Sequence, residues 1–251
     1  MKQILKDKLK VRIFEDRQSL GSAAAEDIFQ KVKVLLETKE FANIVFASAP
    51  SQNEFLAALS VMPVEWNRVN AFHMDEYVGL PSDAPQGFGT FLKERLFDKV
   101  TCREVHYING NTDPEEECKR YAALLLKYPT DIVCFGIGEN THLAFNDPHV
   151  ANFKDPEIVK VVDLDNDCRL QQVNDGCFTS LEEVPTHAIT ITIPALFKTN
   201  SAIAVVPGKL KANAIYNTLN STISEQYPST ILRIHPDTTL YIDINSAENI
   251  L

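Results

Sequence analysis

The sequence predicts an α/β protein with a largely parallel sheet covered by helices. Short runs rich in β-branched or aromatic residues alternate with longer stretches in which apolar residues recur at three- and four-residue spacing. That alternation is the pattern of strands joined by crossover helices. The 251 residues contain no Gly/Ser/Pro-rich linker between the halves, no internal repeat and no low-complexity tract, so one compact domain over 1–251 is expected.

The elements follow in order. VRIF (11–14) reads as a strand and 20–36 as a helix; IVFA (44–47) is a strand before a helix at 53–61. RVNAF (68–72) is the next strand, followed by a helix at 89–97, the strand VHYI (105–108) and a helix at 114–126. IVCF (132–135) and VKVV (159–162) are strands, as are HAITITI (187–193), AIAVV (202–206) and TLYI (239–242), with a helix at 209–219. In open α/β sheets ligands gather beyond the C-terminal ends of the strands. That rule selects 47–52, 73–80, 136–148 and 207–211.

Composition excludes several classes. A formal charge of -10 argues against a nucleic-acid surface, which needs clustered Lys and Arg. It leaves room for a small anion, since one lysine beside a helix N-terminus makes a locally positive pocket. The five cysteines lack the paired short spacings of a zinc site and read as reduced thiols. The start, MKQILKDKLKVRIFEDR, breaks every apolar stretch with charge, and no segment is an apolar run long enough to span a membrane. A cytoplasmic protein without membrane or nucleic-acid partners is expected, and a homo-oligomer is compatible with it.

Within the selected segments, FHMDEYVGL (72–80) places two adjacent carboxylates after an apolar strand. Asp75 is the better candidate acid or base; capping for Asp75 and solvent for Glu76 is the competing structural reading. GIGENTHLAFNDP (136–148) brings glycines for close backbone approach, and His142, whose imidazole exchanges protons near neutral pH with Asp147 or Glu139 to orient it. The glycines lack the third member and the strand–helix context of a dinucleotide fingerprint, so no nicotinamide cofactor is inferred. His142, Asp147 and His149 have no recognised metal spacing, and no metal is expected. No serine or cysteine sits in a nucleophile motif. Ser48-Ala49-Pro50-Ser51-Gln52 suits either anion contacts at a helix start or ordinary capping. VPGKLKA (206–212) opens a helix with Lys211 facing either an anion or solvent.

Taken in order, FHMDEYVGL, GIGENTHLAFNDP and VPGKLKA, with FASAPSQNEF and THAITITIPAL, resemble the glucosamine-6-phosphate deaminase/isomerase family over most of the chain. The resemblance implies a single-domain, modified doubly wound sheet with helices on both faces and no redox cofactor. It implies conversion of an amino-sugar phosphate to a ketose phosphate with release of ammonia. Asp75 then moves a proton between C2 and C1, His142 assists ring opening and Asp147 supports His142, with Asn140 in the same relay. Ser48, Ala49, Ser51, Gln52 and Lys211 hold the phosphate, and Glu76 and Gly138 adjoin the substrate. The chain departs from the family pattern in carrying Asn140 for an acid, Thr141 for glycine, Asp147 for glutamate and SAPSQ for a glycine-rich loop. The family's phosphate-binding arginine falls near Asn174; Arg169 is the candidate substitute, in a segment (168–176) that reads either as a substrate loop or as a solvated one. A 6-phosphogluconolactonase and a non-catalytic sugar-phosphate-binding protein are the alternatives; ligand-induced stabilisation without turnover marks the latter.

Overall fold

The computed structural model describes residues 2–251. The chain begins with β1 (Lys2–Lys6) and β2 (Leu9–Phe14), crosses through α1 (Arg17–Leu36) to β3 (Ala42–Phe46), and continues through α2 (Asn53–Ser60) to β4 (Val69–His73). A short strand, β5 (Asp75–Tyr77), precedes α3 (Phe88–Leu92), whose end widens into a π-turn, and then β6 (Glu104–His106), α4 (Pro114–Lys127) and β7 (Ile132–Phe135). The remainder is β8 (Val159–Asp163), α5 (Asn166–Asn174), β9 (His187–Ile191), α6 (Ile193–Phe197), β10 (Ser201–Val206), α7 (Ala212–Asn220) and β11 (Thr238–Asp243).

Eight strands form one sheet in the order β1-β2-β11-β10-β7-β3-β4-β6, parallel throughout except for the β1–β2 pair. Every residue of β3, β4 and β7 is buried, as strands covered on both faces must be. One face packs against α1, α2 and α3 through Leu20, Ile28, Phe55 and Leu92, and the other against α4, α6 and α7 through Tyr121, Leu196 and Ile215. The expected doubly wound α/β architecture is therefore present in a single domain. No helix among the described residues is long and apolar enough to cross a membrane.

Local chemistry sets the helix ends. Asp16 caps α1 by accepting from the Ser19 amide at 2.7 Å, and Asp113 caps α4 at the Glu116 amide at 3.0 Å with Pro114 in the first turn. Gly21 lets α1 lie against α2, because a Cβ there would come within 2.7 Å of the Glu54–Phe55 backbone.

The sheet departs from expectation in two places. The runs at 159–162 and 187–193 do not join the main sheet; β8 and β9 pair antiparallel with each other and with β5 in a separate three-stranded sheet. Residues 75–77, expected within a loop, supply its third strand. The edge strand β1, with two lysines and only partial burial, carries too little apolar patterning to be read from sequence.

Candidate active site

Four neighbouring parallel strands, β10, β7, β3 and β4, end side by side. After β3 the chain moves outward to β4 and β6; after β7 it moves the other way to β10 and β11. The order thus reverses between β3 and β7, where open α/β sheets form their ligand crevice. The four segments selected from sequence lie there, and a cleft partly open to solvent is lined by Ser48, Ala49, Ser51, Asp75, His142 and Lys211 among others.

Asp75 enters from the start of β5. Its backbone pairs with Thr190, and Met74 accepts from the Ile191 amide at 2.8 Å, so β9 braces the segment. The side chain is 6% exposed, lines the cleft and has no hydrogen bond to another described residue. Burial, with Glu76 and Asp147 adding like charge, pushes its carboxyl well above the ordinary carboxylate range. A carboxylate so placed is a stronger base than one in water and is left free for a ligand.

His73 fixes this segment from behind. The Ile108 amide donates to its Nε2 at 2.9 Å, which leaves Nδ1 as the N–H that donates to the Asp75 carbonyl at 2.9 Å. Full burial lowers its pKa to about 4. Between pH 6.5 and 4 the unfolded chain therefore takes up a proton that the folded chain refuses, and stability falls by about 3 kcal/mol. Urea unfolding should show that loss in wild type beyond the change in His73→Asn; parallel pH curves for the two proteins would refute it.

His142 lies on the turn after β7. Its Nδ1 is 2.8 Å from Asp147 Oδ1, and Asp147 is fully buried. Burial raises the Asp147 carboxyl, but His142, Asn140 and Cys168 outweigh it and hold the group below its usual value. With Nδ1 facing Asp147, Nε2 is the nitrogen left for a ligand. The turn is closed by the Gly138 amide donating to the His142 carbonyl at 3.0 Å, and the ring folds back over Gly138. Phe145 donates its amide to Thr190 Oγ1 at 3.1 Å, and Asn146 reaches the Ile191 carbonyl at 2.9 Å. β9 therefore braces the His142 turn and the Asp75 segment together.

Among the described residues, two groups have ligand atoms close enough to hold a metal: His142, Asp147 and Cys168, and Asp147, His149 and Asp165. In the first the His142–Asp147 contact already directs two of the three groups at each other.

A family profile described as glucosamine-6-phosphate isomerases/6-phosphogluconolactonase matches residues 15–241. The chain belongs to this family. It is 34% identical over 220 residues to the glucosamine-6-phosphate deaminase of a Bacillus cereus strain, covering 87% of this chain and 82% of that protein, and equally identical to a Bacillus anthracis deaminase. The structure of a monomeric glucosamine-6-phosphate deaminase superposes with a TM-score of 0.88 at 28% identity, over 95% of this chain and 99% of that one. The 6-phosphogluconolactonase of Thermotoga maritima shares the fold, with a TM-score of 0.78 at 22% identity over 94% and 100% of the two chains.

Several residues of this family member sit differently from the sequence expectation. Glu76 turns away from the cleft, because alternation along β5 puts adjacent side chains on opposite faces. Its carboxylate instead accepts from the amides of Tyr77, Phe88 and Gly89 at 2.9, 3.1 and 2.8 Å and anchors the start of α3. Gln52 is buried and tied to Ser51 Oγ and the Val205 carbonyl, both at 3.0 Å, so it braces the 48–52 loop from outside the cleft lining. Asn140 links Asp147, at 3.0 Å, to the His142 amide, at 3.1 Å, which makes it a positioning group within the turn. Thr141 adopts φ 74°, a left-handed conformation that favours glycine and strains a β-branched residue.

Arg169 is no anion ligand: its guanidinium donates to the carbonyls of Leu181 and Val184. The 168–176 segment, expected as a loop, is mostly the helix α5, capped by Asp165 at the Cys168 amide and ended by Gly176 at φ 74°. It brings Gln171 and Gln172 to the cleft, two residues of that candidate segment that the sequence did not single out. The Asp165 cap and the glycine after the last turn were the available signals.

Proposed function

We propose that the protein is a glucosamine-6-phosphate deaminase that isomerises an aldose to a ketose and hydrolyses the resulting imine. The observation that carries this reading is the unpaired, buried Asp75 carboxylate sharing one cleft with the His142–Asp147 pair and Lys211.

Ring opening requires a proton to leave the C1 hydroxyl and one to reach the ring oxygen; His142 Nε2 serves that exchange, with Asp147 supporting the imidazolium. Asp75 then removes the C2 proton from the open-chain amino aldehyde as O1 takes up a proton, giving an enolamine, and returns a proton to C1 while the nitrogen releases one. The product is a ketimine at C2. Water adds to it, the C2–N bond breaks, and ammonia and fructose-6-phosphate leave. Ser48, Ala49, Ser51 and Lys211 bind the phosphate, whose fixation orients C1 and C2 against the carboxylate. No step calls for a cofactor.

Lactone hydrolysis offers no use for a base at C2, so Asp75 favours the deaminase over the 6-phosphogluconolactonase reading. The test is release of ammonia and fructose-6-phosphate from glucosamine-6-phosphate, with 6-phosphogluconolactone assayed alongside. Turnover of the amino sugar is expected; consumption of the lactone alone, or stabilisation by the amino-sugar phosphate without turnover, would overturn the proposal.

A further inference from the structure

Besides Asp75, three polar side chains that line the cleft are more than nine-tenths buried and have neither a hydrogen bond nor an ion pair to another described residue: Ser48, Gln172 and Lys211, at 7, 7 and 6% exposure. The Ser48 hydroxyl is a buried orphan. The Lys211 ammonium has no carboxylate within ion-pair distance among the described residues, and burial lowers its pKa against the opposing pull of Asp175 and Glu139. Leaving such groups unpaired costs free energy unless a ligand completes them.

Gln172 is set apart from its neighbours on α5. Gln171 is already used, accepting from the Glu139 amide at 2.8 Å and reaching Asp175 at 3.3 Å. Arg169 is committed to backbone carbonyls. The Gln172 backbone is pinned at the end of the helix, its carbonyl accepting from the Cys177 amide at 2.9 Å, while its carboxamide alone is free. It lines both the main cleft and an adjoining cavity that shares Ser48 and Ala49.

Deepening the deaminase reading, on which it rests, we infer that the Gln172 carboxamide donates to the substrate phosphate beside Lys211 and the Ser48 hydroxyl. A phosphate has three terminal oxygens to satisfy, and Lys211 is the one lysine or arginine lining this cleft among the described residues. A neutral N–H donor fills the remaining demand without placing a second buried charge next to Lys211. The anion site thus consists of one cation, one hydroxyl and one carboxamide.

Calorimetric titration of the full-length protein with inorganic phosphate and with fructose-6-phosphate tests this without depending on turnover. Gln172→Leu should weaken both by about 10- to 100-fold, the cost of a hydrogen bond to a charged group. Gln172→Arg should tighten both, and Gln172→Glu should abolish binding while its melting temperature stays near wild type. Phosphate binding that depends on Gln172 in a protein that fails to deaminate the amino sugar would sink the deaminase reading and leave this assignment standing. Deamination by wild type with phosphate affinity unchanged in Gln172→Leu, or a wild type that binds no phosphate, would overturn the assignment. Weakened sugar-phosphate binding with unchanged inorganic phosphate binding would also overturn it, by moving Gln172 to the sugar hydroxyls.

Discussion

Replacing Asp75 by asparagine should lower deaminase turnover by about 10²- to 10⁴-fold, the usual contribution of a positioned acid/base group, and should raise the melting temperature at neutral pH. The two effects share one cause. The Asp75 carboxylate is buried, has no donor among the described residues and lies within the like-charge field of Glu76 and Asp147. Its folded pKa is therefore raised above the unfolded value. The stability associated with the protonated form is fully present below the ordinary carboxylate pKa and is lost as pH rises through the folded value. At neutral pH the ionised group burdens the fold, and asparagine, nearly the same shape, removes the charge. Thermal melts across the acid-to-neutral range should show the Asp75→Asn variant ahead of wild type at neutral pH, with the gap closing in acid. The acid limb of kcat/KM in wild type should lie above the range of an exposed carboxylate. A variant that is inactive and less stable at neutral pH would mean that Asp75 serves the fold and not the reaction.

Much of this site was legible because it depends on strand ends. An apolar run followed by Asp75, another followed by the His142 turn, and two more leading to Ser48 and Lys211 place four segments at one sheet edge as soon as parallel topology is assumed. What sequence could not show was direction. Asp75 reads as the better candidate of two adjacent acids, yet only the pairing of Asp75–Tyr77 with β9 decides that Asp75 enters the cleft and Glu76 anchors α3. Tertiary pairing also turned 159–163 and 187–191 into a small antiparallel sheet, an outcome that their apolar pattern shares with membership of the main sheet. α5 was harder: its polar composition hides the helical period, and its function at the cleft rests on one glutamine whose neighbour has identical chemistry. Gln171 and Gln172 differ only in what the fold leaves within their reach.

The second large effect should come from a methyl group. Gly138→Ala is expected to cut turnover by about 10²-fold, because displacement of a catalytic group by about an ångström costs that much. A Cβ at Gly138 would overlap the His142 ring, its nearest atoms being Cε1, Nδ1 and Nε2 of that imidazole. The backbone has little freedom to absorb the clash. The turn is tied by Gly138 to His142, by Thr141 to Gly138, by the Ser229 amide to the Thr141 carbonyl and by the Glu139 amide to Gln171. The ring must therefore swing away from Asp147. Gly136, two residues earlier, is the contrast: a Cβ there meets the ends of the Gln52 and Ser51 side chains at 3.5 and 3.8 Å, and Gly136→Ala should have a much smaller effect. Because Gly138 acts through His142, its effect should vanish in a His142→Gln background. The double variant should be no slower than His142→Gln alone, the non-additivity of residues working as one unit. Full additivity would show that Gly138 serves the reaction by another route, such as direct approach of substrate to its backbone.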